Sequence, residues 1–230
     1  KNNEIQFDAS LWLIRALVEK KDFMTADVEL DELTNNRKFP KKLDVDLAKI
    51  SADFYLQQAN YELALERLLK IDKLIKRKNK KVRYNYIMAQ LYQQSNNNKS
   101  AKNKYEQVLK SSPEYEMVFN AKMNLARSLE SGSQDTQKMR QNLLKMTRDD
   151  KNKEYLDQIY FTLAEMDINN SDTLAAIDNY LISTVNSIDN NTQKSLSFLA
   201  LARIDYNRSL YRESKFNYDS TIFYMDEDFR

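Results

Sequence analysis

The sequence predicts an all-α fold, a solenoid of about six helical hairpins, and three observations carry that prediction. One Gly and two Pro in 230 residues leave little with which to build β-turns, hairpins or glycine-rich phosphate loops. Hydrophobic residues make up 42% of the chain and charged residues 30%, which suits a folded core and is too apolar for a disordered chain. A helical pattern also recurs at a nearly constant interval from one end to the other.

The recurring pattern is visible in DFMTADVELDEL (22–33), NYELALERLLKI (60–71), NNKSAKNKYEQV (97–108), DTLAAIDNYLIS (172–183) and LYRESKFNYDST (210–221). Each segment places a small residue fifth and a large one four positions later: Ala26/Leu30, Ala64/Leu68, Ala101/Tyr105, Ala176/Tyr180 and Ser214/Tyr218. A degenerate copy, TQKMRQNLLKM (136–146), has Met139 in the small place and Leu143 four later, so that successive copies are 38, 37, 38, 37 and 38 residues apart. Another Ala precedes four of the small residues by twelve positions: Ala52, Ala89, Ala164 and Ala202. In the degenerate copy the gap from Ala126 is 13, an insertion beside Gly132, and in the first copy Ile14 holds the place. Small residues on two helices, separated by a short polar turn such as QQAN, QSNNN or INNSD, allow an antiparallel pair to approach closely. A lone hairpin leaves its apolar face in water, so stacking on neighbours must supply the core. The predicted hairpins are 7–40, 45–80, 82–113, 115–150, 153–189 and 192–226, forming one solenoid over 1–230 and read as part of a longer protein, since the sequence starts at Lys1.

Composition narrows the chemistry. The chain has no His and no Cys, which removes His acid/base catalysis, Cys nucleophiles, Cys/His metal sites and disulfides within these residues. Neither a cofactor nor a metal is predicted. The carboxylate pairs Asp149/Asp150 and Asp226/Asp228 lie in charged linking or terminal segments with no pocket-forming loops around them, so the protein is predicted not to be an enzyme. The 36 Lys and Arg nearly balance the 34 Asp and Glu, so no global field draws the chain to nucleic acid or to an anionic membrane. No run of 18 apolar residues is present, which predicts no membrane insertion by this segment. The basic run KLIKRKNKK (73–81) holds six cations, and RKFPKK (37–42) occupies the same place one repeat earlier. Both read first as solvated inter-repeat loops and second as a contact for an acidic partner.

At these residues the chain resembles the tetratricopeptide repeat (TPR) family. The match covers the small residue of each first helix, the apolar residue before it (Leu125, Leu163, Leu201), the aromatic three after it (Tyr55, Tyr92), the second-helix Ala, the aromatic four later, and Pro113 as a closing proline. The period exceeds the family's usual length, the first-helix Trp is missing and Ala replaces Gly, which predicts longer second helices or longer connections between hairpins. The resemblance implies a right-handed α-solenoid that serves as a non-catalytic protein–protein interaction scaffold, with first helices lining a concave groove. PEYEMVFNAKMNLA, KNKEYLDQIYFTLAE and QKSLSFLALARIDYNRSLYRESKFNYDST further resemble the TPR region of the SprE-type lipoproteins of Bacteroidetes. That likeness implies the periplasmic part of an outer-membrane lipoprotein, anchored by a lipid outside this segment. Its partners would be components of the type IX secretion translocon or of the gliding motility machinery. The alternatives are a cytoplasmic TPR adaptor and a TPR regulatory arm of a larger protein.

The groove-facing places can be assigned from helical periodicity. In SSPEYEMVFNAKMNLARSLE (111–130) the packing side is Ala121, Leu125, Ala126 and Leu129, leaving Asn120, Asn124 and Arg127 on the opposite arc. The equivalent sets are Asp8/Trp12/Arg15, Asp46/Ile50/Asp53, Arg83/Ile87/Gln90, Gln158/Thr162/Glu165 and Leu196/Ala200/Arg203. Candidate partner-binding residues are Asn120, Asn124, Arg127, Gln90, Gln158, Thr162, Glu165 and Arg203. Arg127, Glu165 and Arg203 alternate in sign, so the sequence leaves open an intramolecular ion-pair ladder and a surface for a partner's backbone or carboxylate. The Lys and Asn pattern with which some TPR domains grip a C-terminal carboxylate is not matched, because Lys49 is followed by Asp53 and the next repeat offers Gln90. Trp12, the single Trp, is predicted to be covered by a preceding repeat rather than to meet a ligand.

Overall fold

The twelve α-helices of the computed structural model, which describes residues 2–111 and 114–225, alternate along the chain as six hairpins. They are α1 (Asn2–Glu19), α2 (Phe23–Asn35), α3 (Asp44–Gln57), α4 (Tyr61–Leu74), α5 (Lys78–Gln94), α6 (Asn98–Leu109), α7 (Tyr115–Arg127), α8 (Gln134–Met146), α9 (Leu156–Asn169), α10 (Thr173–Asn186), α11 (Asn191–Asn207) and α12 (Tyr211–Tyr224). No strand occurs among the described residues. The fold is an all-α solenoid of TPR-like hairpins. Pro113 and the pair Asp226/Asp228 lie outside the described residues. The chain divides into two compact units, Lys1–Val118 and Phe119–Arg230.

Five of the six hairpin turns are built the same way. The first helix ends on a residue in the left-handed region, and the next residue caps the second helix. Lys21, Ala59, Asn96, Ser171 and Ser209 all have φ between 56° and 63°. The amide that follows each of them donates to a carbonyl five residues back: Asp22 to Leu17, Asn60 to Tyr55, Asn97 to Tyr92, Asp172 to Asp167 and Leu210 to Asp205, at 2.8–2.9 Å. That is the Schellman closure, formed here without glycine. The side chains of Asp22, Asn60, Asn97 and Asp172 then accept from the third amide of the new helix, satisfying a donor the helix itself leaves unpaired. At the degenerate copy the turn is longer. Gly132 takes φ 72° and Ser133 caps α8.

The small residues sit where the paired helices meet. Ala26, Ala64, Ala101 and Ala176 are fully buried, as are Ile14, Ala89 and Ala164 opposite them, with Ala52 almost so; Ala202, opposite Ser214, is fully buried too. In the last hairpin the Ser214 hydroxyl donates to the Ala202 carbonyl at 2.9 Å, so this side chain touches the backbone of the opposite helix. The degenerate copy keeps the register: Leu143 is fully buried, and Met139 and Met146 pack against a core of Phe119, Met123, Ala126, Ile159, Leu163 and Met166. Met139 is only partly buried, as its bulk at a small-residue place requires.

In the first unit, one cluster joins α1, α2 and α3 through Leu11, Ile14, Leu30, Leu47 and Phe54. A second joins α3, α4 and α5 through Ala52, Ala64, Leu68, Ile71 and Met88. Each hairpin therefore buries one face internally and another on its neighbour. At about 1.5–3 kcal/mol for each fully buried Leu, Ile or Phe, these contacts dominate the stability. The long repeat period is not taken up by the second helices, which span only 12–14 residues; it goes into the connections after α2 and α8 and, where the connection is short, into the 17-residue first helices α5 and α11. Short 3-10 turns, Lys41–Leu43 and Asp150–Tyr155, fill two of the connections. Asn152, fully buried, anchors the second by donating to the Met146 carbonyl at 2.8 Å.

Replacing Ala64 by Leu is expected to destabilise the protein by about 1–3 kcal/mol, because α3 and α4 would have to separate. The same change at exposed Ala16 should have almost no effect. Chemical denaturation of the two variants checks both outcomes.

Candidate functional site

The first helices of the first unit enclose a cleft of about 610 Å³ between α1, α3 and α5. Eight of the nine residues that the repeat assigns to the groove in these hairpins line it: Asp8, Trp12 and Arg15, then Asp46, Ile50 and Asp53, then Arg83 and Ile87. Gln90 is exposed and does not line it. Trp12 is 60% exposed. The Arg15 guanidinium lies over its indole, 5.2 Å from the ring centroid, a cation–π contact that holds the ring at the cleft wall.

The cleft mixes both signs of charge. Lys49 donates to Asp46 at 2.9 Å, and this hydrogen bond leads the upward shift of the Lys49 ammonium, with Tyr84 contributing. Asp53 is pushed above the usual carboxylate range, first by burial and then by repulsion from Glu19, with Arg15, Gln57 and Arg83 opposing. An acidic group raised in this way costs folding stability once it ionises.

In the second unit the polar stripe is tied internally. Arg127 donates through Nε to Glu165, through one terminal nitrogen to the Asn124 side chain at 3.1 Å, and through the other to the Thr162 hydroxyl at 3.5 Å. Its guanidinium also lies 5.8 Å from the Phe161 ring centroid. Arg127 and Glu165 are each 31% exposed at the side chain, so the pair lies at the surface with part of its hydration removed. Thr162 was expected on the groove-facing arc but is fully buried, and its hydroxyl donates to the Gln158 carbonyl at 2.9 Å. Asn120 and Gln158 are half-buried on α7 and α9. Arg203 is exposed on α11 and has no ion-pair partner among the described residues. Of the alternating triplet, the first two members pair and the third does not.

Two contacts escaped the sequence reading. Asn179 donates to Asp167 at 2.7 Å and Asn217 to Asp205 at 2.8 Å, each clasping a second helix to the first across twelve residues. Asp167 is 3% exposed and also receives Arg140 from α8. The signal was present: both Asp lie three residues after the first-helix Ala, and both Asn three after the second-helix small residue. A buried cluster between α9, α10 and α11 was likewise unforeseen. Ser183 donates to the Asp157 carbonyl at 2.7 Å and lies 2.9 Å from the Ser197 hydroxyl, and Asn190 donates to the Asp157 carboxylate at 2.9 Å. Burial raises the Asp157 carboxyl, while the Gln158 amide, Ser187 and Asn190 act against the rise. The pair Asp149/Asp150 is engaged by Lys151 and Lys153 at 2.9 Å each.

No protein-family model matches the chain, and no curated protein matches it. Solved structures do. The apo form of the quorum sensor NprR from B. thuringiensis superposes with a TM-score of 0.67 at 16% identity, covering 96% of this chain and 66% of that one. The fold is shared. NprR in complex with its cognate peptide NprX gives 0.61 at 18% identity, with coverages of 95% and 67%. A Rap protein complexed with Competence and Sporulation Factor gives 0.65 at 16% identity, with coverages of 97% and 66%. The chain thus spans about two thirds of the length of these neighbours. Among the described residues, no helix is long and apolar enough to cross a membrane.

A double-mutant cycle on Arg127→Ala and Glu165→Ala should give a coupling of about 1 kcal/mol, whereas Arg203→Glu should leave the melting temperature unchanged. Asp53→Asn should raise the melting temperature at neutral pH. The folded carboxyl lies above its unfolded value, so the native state holds the extra proton, and stability is lost as pH rises through the window between the two. The gain from Asp53→Asn should therefore shrink as pH falls into the ordinary carboxylate range, which melting curves across pH will show.

Proposed function

We propose that this chain is a non-catalytic interaction domain that recognises peptide segments of other proteins in the cleft between α1, α3 and α5. The observation that carries the reading is the cleft itself: a concavity of about 610 Å³ walled by repeat-equivalent first-helix residues, with an exposed Trp12 braced by Arg15. An exposed aromatic beside paired charges of both signs suits an extended peptide. The ring covers apolar side chains, and Arg15, Arg83 and Asp46 are placed for main-chain and terminal groups. One structural neighbour, NprR, was solved with its cognate peptide NprX, which supports this class of ligand, and another, a Rap protein, with Competence and Sporulation Factor.

These likenesses favour the cytoplasmic adaptor or regulatory arm over the finer reading of a periplasmic lipoprotein acting with the type IX secretion translocon and gliding motility. None of the three neighbours named is a secretion or motility component. The residues Asn120, Asn124, Arg127, Gln158, Glu165 and Arg203 form a second candidate surface in the other unit. Within it, exposed Arg203 is the cation left for a partner.

Trp12 is the single tryptophan in the chain and reports on its own cleft. Peptides captured from a random-sequence library on the full chain should shift or quench its fluorescence. Arg83→Glu should weaken their binding by about tenfold. Captured peptides that leave Trp12 fluorescence and the Arg83→Glu affinity unchanged would place recognition elsewhere.

A further inference from the structure

A smaller cleft, of about 330 Å³, opens where the α4–α5 connection passes α3. Val45 and Lys49, one turn apart on α3, face Ile75, Lys76 and Arg77 of the connection and Lys80 in the first turn of α5. The floor is apolar, formed by half-buried Val45 and Ile75. The rim is cationic.

The nearby counter-charges are already committed. Asp72 accepts Lys81 at 2.9 Å and Lys104 at 3.1 Å, and Asp46 accepts Lys49 at 2.9 Å. Burial alone would raise Asp72, yet the hydrogen bonds from Lys81 and Lys104 outweigh it and hold the carboxyl below its usual range, so it stays ionised and occupied. Lys76, Arg77 and Lys80 are exposed and have no carboxylate partner among the described residues. A purely solvated loop has no need of an apolar floor beneath three unneutralised cations, whose mutual repulsion is a standing cost.

We propose that this cleft binds an acidic peptide segment of a partner protein. One apolar side chain of the segment sits between Val45 and Ile75, and carboxylates on either side of it meet Lys76, Arg77 and Lys80. Apolar burial fixes the register of the segment and the cations select its sign. The cleft chemistry favours a peptide over nucleic acid. No aromatic lines it for a base to stack on, and a phosphate alone would leave the Val45–Ile75 floor wet. This site is separate from peptide recognition beside Trp12, and only Lys49 lines both clefts.

The test uses the full chain and a fluorescein-labelled peptide, Glu-Asp-Leu-Glu-Asp, followed by fluorescence anisotropy. Binding should weaken by about tenfold in the K76E/R77E/K80E variant and by several-fold when the peptide Leu is replaced by Gly. The neutral K76Q/K80Q variant guards against misfolding: it should keep the far-ultraviolet circular dichroism and melting temperature of the parent and still lose affinity. Trp12→Ala and Arg83→Glu should leave this binding unchanged, so failure of the larger cleft as a peptide site is told apart from failure of this one. Equal affinity of the charge-reversed or neutral variant would overturn the proposal. So would indifference to the Leu-to-Gly change, or displacement of the peptide by inorganic phosphate or a polyuridylate oligonucleotide at comparable concentration.

Discussion

Everything in this protein depends on how closely two antiparallel helices can approach at a pair of small side chains. Where Ala64 meets Ala52, or Ser214 meets the Ala202 carbonyl, the helices are near enough that no larger side chain fits between them. That contact fixes which arc of the first helix is turned to its own partner, and leaves the remaining arcs to the neighbouring hairpin and the cleft. The groove is a by-product of the packing: its exposed lining, such as Trp12, Arg15 and Arg83, stands outside the core, whereas Ile50 and Ile87 serve both.

The fold was legible for this reason. Small residues twelve apart, recurring every 37 or 38 positions, encode the contact directly, and a chain with one glycine offers few other readings. The degenerate copy was legible too, because Leu143 and Met146 keep their register although Met139 is not small. About half of the lining of the first cleft follows from the same periodicity; Leu68 and Ile71 reach it from α4, and Lys49 and Tyr84 from places the periodicity does not single out. Periodicity gives only the direction of a side chain. Thr162 lies on the predicted arc and is buried nonetheless, because the Arg127 side chain folds over it to reach Glu165. The exposure of Trp12 has a different origin: the sequence places its packing on a preceding repeat, whereas in the structure the Arg15 guanidinium lies over its ring.

Polar groups make the hairpins specific rather than merely compact. The clasps Asp167–Asn179 and Asp205–Asn217 and the cluster around Asp157 are buried or half-buried, so each carries a desolvation cost that only correct geometry offsets. A hairpin slid by one turn would lose these bonds together with the small-residue contact. The register of α9 against α10 and of α11 against α12 is thereby fixed more tightly than Leu and Ala could fix it.

The Arg127–Glu165 pair has a consequence for any ligand that approaches it. A carboxylate reaching this guanidinium would exchange one ion pair for another instead of adding one, so its binding there would gain only the difference between two similar energies. Because the number of paired charges is the same before and after, the exchange would respond weakly to ionic strength. An internal competitor of this kind screens out ligands that offer charge alone. It favours those whose shape lets them take the Asn124 contact as well as displace Glu165.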